Sequence, residues 1–183
     1  MRTLQVICLI FGIAGFFAPA LADQNDPRLG KLFAQLGEVS APVEAAPIEA
    51  QIWAIWHETS DQTAASFLQT GINAMRRGDH PTAIEAFDQV VTMAPDFAEG
   101  WNRRATVHYL VGNFEQSLDD IATTLDLEPR HFGALSGRGL VYLDLDDLER
   151  ALVSFEAALA VYPQMVGPLI NAEAIRQILG QEI

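Results

Sequence analysis

The sequence predicts an all-α protein built as a solenoid of helical hairpins, and three observations support this fold class. Pro95, Pro129 and Pro163 lie 34 residues apart. Between these prolines, small and apolar residues recur at the same positions of each 34-residue stretch. Half of the residues are hydrophobic and 19% are charged, which is the composition of a chain that folds around a core. A fixed period of this length is typical of stacked helical units that each contact only their neighbours.

The period divides the centre of the chain into three blocks, residues 64–97, 98–131 and 132–165. Position 8 of the blocks is small, because it holds Gly71, Ala105 and Gly139, and small residues let two helices approach closely. Positions 21, 24 and 28 are apolar and three or four residues apart, so they form one stripe on a helix. We therefore expect a helical hairpin in each block, with helices over 64–77 and 81–94, 98–111 and 115–127, and 132–144 and 148–161.

Each second helix is predicted to begin at a capping residue and to end at a proline. Asp79, Asn113 and Asp147 occupy position 16, where a side-chain oxygen can accept hydrogen bonds from the free amides of a helix start. The proline of each block removes a backbone donor and disfavours a helical conformation in the residue before it.

At these positions the blocks resemble tetratricopeptide repeats, whose pattern is a Trp-like residue, Gly or Ala, Tyr, Ala, Phe, Ala and Pro. The third block matches this pattern at Leu135, Gly139, Tyr142, Ala151, Phe155, Ala158 and Pro163. The second block matches at Trp101, Ala105 and Pro129, and the first at Phe67, Gly71, Ala83, Phe87 and Pro95. The resemblance covers residues 64–165 and implies a right-handed α-solenoid whose first helices line a concave groove.

Helices are also predicted on both sides of the three blocks. Residues 166–183 are expected to contain a capping helix over 166–181, packed through Ile170, Ala174, Ile175 and Ile178. Residues 23–63 are expected to form a degenerate hairpin, 28–38 and about 44–58, stacked before the first block. Trp53 and Trp56 of this hairpin are expected to pack on the first full repeat.

Residues 1–22 have the pattern of a secretory signal peptide. A charged start is followed by an apolar run, and Ala20-Leu21-Ala22 forms a cleavage site before Asp23. Cleavage would leave 10 basic and 24 acidic residues and no cysteine. We expect this product not to insert into a membrane and to reside in a bacterial periplasm, with secretion beyond the envelope as the alternative. An uncleaved membrane anchor is the other interpretation of the segment.

The composition argues against several kinds of chemistry. Lys31 is the only lysine and the isoelectric point is about 4.5, so nucleic-acid binding is not expected. A single cysteine excludes Cys-based zinc sites and disulfide frameworks, and the four histidines show no metal-ligand spacing. Phosphate loops and nucleophile elbows are missing from the sequence, and the acidic pair Asp119-Asp120 is expected to be solvated. We expect no catalytic residue, metal or cofactor; an enzyme or metal carrier is the weaker alternative.

The resemblance implies that positions 2, 5, 6, 9, 12 and 13 of each first helix face the groove. On this basis the candidate peptide-binding residues are Arg76, Asn102, Arg103, Tyr109, Arg130 and His131, the last two at the groove's edge. Leu68 and Ile72 are apolar where a carboxylate clamp of the family would have Lys and Asn. Arginine can hold a carboxylate through two hydrogen bonds, so an acidic ligand would suit these residues. We expect Arg103→Glu to abolish partner capture without lowering the melting temperature; the alternative is that these arginines only balance nearby acids.

The sequence therefore predicts a non-enzymatic adaptor or scaffold that binds a protein or peptide partner in the periplasm. The alternative function is a structural or assembly subunit of a cell-envelope complex, docked through the N-terminal hairpin. A large exposed patch around Trp53 and Trp56 would favour that alternative.

Overall fold

The structure, a computed structural model, describes residues 23–181, so the predicted signal peptide lies outside the described residues. This part of the chain contains nine helices and no strand. The helices are α1 (Arg28–Glu38), α2 (Pro42–Trp56), α3 (Gln62–Arg76), α4 (His80–Met93), α5 (Ala98–Leu110), α6 (Phe114–Leu127), α7 (Phe132–Asp144), α8 (Leu148–Val161) and α9 (Val166–Gln181). Within residues 23–181, every helix falls short of the length and hydropathy that a membrane span requires.

Helices α3 to α8 form three hairpins that stack in chain order, which confirms the predicted all-α solenoid. The predicted capping residues stand where α4, α6 and α8 begin. Asp79 accepts a hydrogen bond from the Thr82 amide at 3.3 Å, and Asp147 accepts one from the Arg150 amide at 2.9 Å. Asn113, at the same position of the second hairpin, makes no such side-chain bond within the described chain.

The aromatic ring at position 24 limits the size of the side chain at position 8. A Cβ atom added to Gly71 would lie 2.5 Å from Cε1 of Phe87, and one added to Gly139 would lie 2.5 Å from Cε1 of Phe155. Both phenylalanine rings are fully buried, so the predicted close approach of the two helices at position 8 is confirmed. Where the second hairpin has the narrower Ile121 instead of a ring, alanine replaces the glycine.

Helix α9 continues the register of the repeats, because Val166 lies 34 residues after Phe132. The predicted face is partly wrong: Ile175 is buried, but Ile170 is 64% exposed, and Ala174 and Ile178 are also exposed. The buried stripe of α9 consists of Pro168, Ala172, Ile175 and the half-buried Leu179. Position 3 and position 10 of a first helix face the preceding hairpin, as buried Ala134 and Val141 show in α7, and α9 follows the same rule.

Helices α1 and α2 form the predicted N-terminal hairpin. The prediction that this hairpin stacks on α3 like a further repeat is wrong. Its apolar face packs across the junctions that join one repeat to the next. At one end, the Gln24 side chain bonds to the backbone of Asp96 in the α4–α5 loop. At the other end, the Tyr162 hydroxyl beside the α8–α9 loop donates to Glu49 Oε2 at 3.0 Å. Burial, and secondly this bond, raise the pKa of Tyr162 to about 12.

The tryptophans of α2 pack on the start of the third repeat, so the prediction that they pack on the first repeat is wrong. Trp56 is 1% exposed and its ring centroid lies 5.0 Å from that of Phe132. Trp53 meets the same ring edge-on, with centroids 5.4 Å apart. A physical reason is visible in the hairpin itself. If the 34-residue frame is extended back to a block that starts at Gly30, Glu49 falls at position 20, where the three repeats have Ala or Ser for close helix packing.

Candidate functional site

The groove-facing positions of α3, α5 and α7 lie side by side and border two open cavities. The first, which we call the α3 cavity, has a volume of about 660 Å³ and is lined by His57, Ala65, Leu68, Gln69, Ile72, Met75, Arg76 and Arg103. The second, the α5–α7 cavity, has a volume of about 270 Å³. Its lining residues are Asn102, Ala105, Thr106, Tyr109, Leu110, Ser117, Ile121, Gly133, Ala134, Ser136, Gly137, Leu140 and Met165.

The α3 cavity is a basic site on an acidic protein. Arg76, Arg103 and His57 line it, and no Asp or Glu of the described chain does. Among the described residues, the α5–α7 cavity also lacks carboxylates but has no arginine, so on a chain with 24 acidic against 11 basic residues the two arginines set the α3 cavity apart. The other lining residues are apolar or uncharged, and they can contact the side chains that flank an acidic group.

The α5–α7 cavity is mainly apolar and has a floor of small residues. Ala105, Gly133 and Gly137 leave space between the two helices, while Tyr109 and Leu140 form its walls. Burial, followed by a hydrogen bond to Asp144, raises the pKa of Tyr109 above its usual value, so its hydroxyl remains a neutral donor at physiological pH. A slot of this kind accommodates one large apolar side chain of a ligand.

A buried carboxylate, Glu99, organises the polar side of the groove. It receives hydrogen bonds from Arg103 Nε at 2.6 Å and from Asn102 Nδ2 at 2.8 Å. The Nε2 atoms of His57 and His131 each lie 3.1 Å from its oxygens. Burial raises the pKa of the Glu99 carboxyl, but the charge of Arg103 and the two histidine contacts lower it by more. The net effect is a pKa well below the usual range, so Glu99 is an anion.

His131 has a structural role that fixes its protonation pattern. Its Nδ1 accepts a hydrogen bond from the Ala134 amide at 3.1 Å and thereby caps α7. Since that nitrogen accepts, Nε2 carries the proton and donates to Glu99. The ring is fully buried beneath Trp56, so His131 is not accessible to a ligand in this structure.

Arg130 lies at the contact between the array and the N-terminal hairpin. Its Nε and Nη2 atoms donate to the buried Glu128 carboxylate at 2.9 and 2.8 Å. The guanidinium also lies 4.3 Å from the centre of the Phe33 ring in α1. Arg130 is therefore used for internal contacts, as the charge-balance alternative proposed.

The six candidate residues thus fall into three places. Arg76 and Arg103 line the α3 cavity, and Asn102 and Tyr109 line the α5–α7 cavity. Arg130 and His131 belong to the contact with the N-terminal hairpin, outside both linings. A role of the first four in peptide binding stays a prediction.

The expectation that Arg103→Glu leaves stability unchanged is contradicted by the structure. Arg103 neutralises buried Glu99, so a second carboxylate at this position would leave two anions together out of water. Substitution of Arg103 is therefore a test of folding as well as of binding.

Asp120 also differs from its expected solvated state, since it is buried and accepts two hydrogen bonds from Arg104, at 2.8 and 2.7 Å.

Sequence reasoning missed Glu99 and His57. Glu99 did carry a signal, because it stands at groove-facing position 2 and precedes Asn102 and Arg103 by three and four residues. That spacing brings side chains together on a helix. His57 carried none, because its location depends on where the N-terminal hairpin docks. In the described part of the chain no group of three or more His, Cys, Asp or Glu is placed to hold a metal ion.

Stacked helical hairpins with a lined groove define a helical repeat protein, and comparison with known proteins identifies the kind of repeat. The sequence model of the tetratricopeptide repeat family matches residues 68–110 and 111–166. A TPR repeat-containing protein of Rhizobium etli is 35% identical over 136 residues, which are 74% of this chain and 67% of that protein. Mouse tetratricopeptide repeat protein 36 is 35% identical over 57 residues, 31% of each chain. This chain belongs to the tetratricopeptide repeat family.

Solved structures of the family share the fold at lower sequence identity. The first TPR of Spaghetti (RPAP3), bound to an HSP90 peptide, superposes with a TM-score of 0.63 at 22% identity and covers 65% of this chain and 94% of that one. The Sgt2 TPR domain from Aspergillus fumigatus gives 0.63 at 19% identity, with 67% and 82% covered. The TPR2B domain of yeast Sti1, in complex with pHsp70, gives 0.59 at 17% identity, with 67% and 100% covered.

Proposed function

We propose that this protein is a non-enzymatic adaptor that holds a segment of a partner protein in the groove formed by α3, α5 and α7. The observation that carries this proposal is the pair of open cavities on the groove-facing positions. Their volumes, about 660 and 270 Å³, are large enough for several side chains of an extended or helical segment. One cavity is basic and the other apolar, so together they can distinguish one segment from another.

The similar structures support this proposal by what they hold. The first TPR of RPAP3 binds an HSP90 peptide, its second TPR domain binds an HSP70 peptide, and the Sti1 domain forms a complex with pHsp70. Their identity to this chain is between 17 and 22%, so the likeness concerns the fold. Peptide binding by this chain is our inference from that fold together with its own cavities.

We further propose that the protein acts in a bacterial periplasm after removal of residues 1–22. The support is the signal-peptide pattern that ends in Ala20-Leu21-Ala22. Sequencing of the mature N-terminus is expected to start at Asp23. A chain that retains Met1 and fractionates with membranes would contradict this part of the proposal.

An assembly role through the N-terminal tryptophans loses its supporting feature. Trp56 is buried and Trp53 packs on Phe132, so within residues 23–181 the pair does not form an exposed patch. The exposed apolar side chains of α9 are Val166, Leu169, Ile170 and Ile178. An assembly function would use this stripe, and the adaptor function remains our proposal.

Site-specific photocrosslinking in intact cells tests the adaptor function directly. A photoreactive phenylalanine is placed at Leu140, which lines the α5–α7 cavity, or at Ile72, which lines the α3 cavity. The matched control is the same substitution at Val153, an exposed position on α8 outside both cavities. We expect both groove positions to crosslink to the same partner and Val153 not to do so. Crosslinks from Val153 alone, or equal crosslinks from all three positions, would place partner binding elsewhere.

A further inference from the structure

The α3 cavity is built from two separate parts of the chain. Its floor and one side come from α3 and α5, but His57 comes from the N-terminal hairpin, one residue beyond the end of α2. The imidazole of His57 stacks on Trp53, with ring centroids 5.8 Å apart and planes at 23°. Arg103 lies beside both rings, 5.8 Å from the centre of Trp53 and in contact with His57 Nε2. The hairpin therefore supplies part of the wall and also supports the Arg103 side chain.

We propose that this composite cavity binds an acidic segment of the partner, with Arg76 and Arg103 of the repeats as donors to its carboxylates and His57 of the hairpin as the wall that holds Arg103 in place. The proposal rests on the proposed function, since it specifies the chemistry of the segment that enters the groove. It differs from the family's carboxylate clamp, because the clamp positions Leu68 and Ile72 are apolar in this chain. The hairpin is then a part of the binding site.

The charges around the cavity support this ligand class. Arg76 is exposed, and the structure gives it no ion pair within residues 23–181. Of the nine arginines in the same range, six form ion pairs with Asp or Glu; they are Arg28, Arg103, Arg104, Arg130, Arg150 and Arg176. Arg77 and Arg138 form none either, but only Arg76 of these three lines the α3 cavity. A cation without a partner, in a cavity without carboxylates, attracts an anionic group from outside the chain.

Glu99 sets the direction in which Arg103 can act. Its carboxylate binds Arg103 through Nε, so the guanidinium is held by one edge while its side chain remains 23% exposed. Glu99 is buried and does not itself reach the cavity surface, but its charge balances that of Arg103, so the uncompensated positive charge of the cavity is that of Arg76. A planar guanidinium held in this way presents fixed donors, which lowers the ordering cost of binding.

The lining residues between the donors indicate what accompanies the acidic group. Leu68, Ile72 and Met75 lie along α3 at groove-facing positions, and all three line the cavity. Methionine and leucine side chains adapt to apolar groups of different shape. The segment is expected to carry Asp or Glu next to apolar residues, without a requirement for a free C-terminal carboxylate.

Selection from a phage-displayed library of random dodecapeptides tests the proposal. The protein that lacks residues 1–22 is used as bait, beside three variants: Arg76→Glu, Arg77→Glu and His57→Ala. Arg77 is the matched control, because it neighbours Arg76 and is exposed but does not line the cavity. The most enriched peptide is then resynthesised with a fluorophore, in its original form and with Gln in place of each Glu and Asn in place of each Asp. Binding is measured by fluorescence anisotropy, and circular dichroism checks that each variant is folded.

The wild-type protein and Arg77→Glu are expected to enrich peptides rich in Asp and Glu, whereas Arg76→Glu loses this bias. Binding of the resynthesised peptide is expected to weaken about tenfold or more with Arg76→Glu and about tenfold with His57→Ala. The amide-substituted peptide is expected to lose affinity for the wild type. Peptides enriched without an acidic bias, or a bias that Arg76→Glu and His57→Ala leave unchanged, would overturn the composite acidic-peptide site while leaving the adaptor function intact. Enrichment of no peptide at all, together with no crosslink from Leu140 or Ile72, would overturn both.

Discussion

The indole ring of Trp56 stacks on the imidazole ring of His131, with centroids 4.1 Å apart and planes at 9°. This contact joins the N-terminal hairpin to the start of α7. His131 also caps α7 and bonds to Glu99 of α5, so a single stacked pair connects three helices. Docking of the hairpin, the cap of α7 and the shape of the α3 cavity are therefore coupled.

Truncation of Trp56 is expected to destabilise the fold strongly. Trp56→Ala leaves a cavity beside His131 and Phe132 and is expected to lower the free energy of unfolding by about 3–5 kcal/mol. Urea denaturation measures this change. Val43→Ala is the control, because Val43 is in the same helix but 80% exposed, and it is expected to change stability by less than about 0.5 kcal/mol. Similar losses for both variants would show that α2 is not docked through Trp56.

Alanine substitutions at two glycines of α7 test whether the N-terminal hairpin is docked on this helix. A Cβ added to Gly133 would lie 2.7 Å from Cη2 of Trp53, whereas one added to Gly137 would meet only Ile121, at an ordinary 3.8 Å. Gly133→Ala is expected to destabilise the protein by about 1–3 kcal/mol through overpacking. Gly137→Ala is expected to stabilise it by up to about 1 kcal/mol through helix propensity. Thermal unfolding compares them, and equal stabilisation by both variants would mean that Trp53 does not lie on α7.

The repeat frame itself makes a prediction at Phe155. Phe155→Ala is expected to cost about 3–5 kcal/mol, because the ring is fully buried between α7 and α8. Gly139→Leu is also expected to destabilise, since its side chain would force the two helices apart. Val153→Ala, two residues earlier on α8 and exposed, is the control in the same denaturation experiment. If all three variants unfold like the parent, the assignment of positions 8 and 24 is wrong.

The lowered pKa of Glu99 makes stability depend on pH in a defined direction. The folded-state pKa lies below the ordinary value of 4.5, so the unfolded chain binds the proton more readily. The stability contributed by the ionised carboxylate is complete above pH 4.5 and is lost as the pH falls further. The free energy of unfolding of the wild type is therefore expected to fall more steeply between pH 5 and pH 3 than that of Glu99→Gln. Parallel profiles for the two proteins would contradict the assigned role of Glu99.

The repeats were predictable because their signals are local. Each glycine at position 8 and each ring at position 24 meet within one block, and the proline that ends the block lies within the same 34 residues. The N-terminal helices were predictable for the same reason, but their location was not. Helical periodicity shows which face is apolar and does not show what that face packs against. Two residues disagree with a further repeat, Glu49 at position 20 and Asp61 at the position where the three blocks have proline.

The candidate site was partly predictable from the repeat frame. Groove-facing positions identified Arg76, Arg103 and Tyr109, all of which line a cavity. His131 sits in a loop next to the groove, and only the docked position of Trp56 buries it. His57 could not be placed before the fold was known, for the same reason.

The N-terminal hairpin lies across the repeat junctions and completes the groove. Distances between pairs of nitroxide spin labels test this arrangement most directly, in a chain with Cys8→Ser. One label is attached at Ala50, next to the Glu49 carboxylate that binds Tyr162, and the other at either Ala160 on α8 or Asn73 on α3. All three positions are exposed. The structure predicts that the distance from Ala50 to Ala160 is shorter than the distance from Ala50 to Asn73. The reverse order would contradict the account, because a hairpin stacked before α3 would be separated from α8 by several helix layers of about 8–10 Å each.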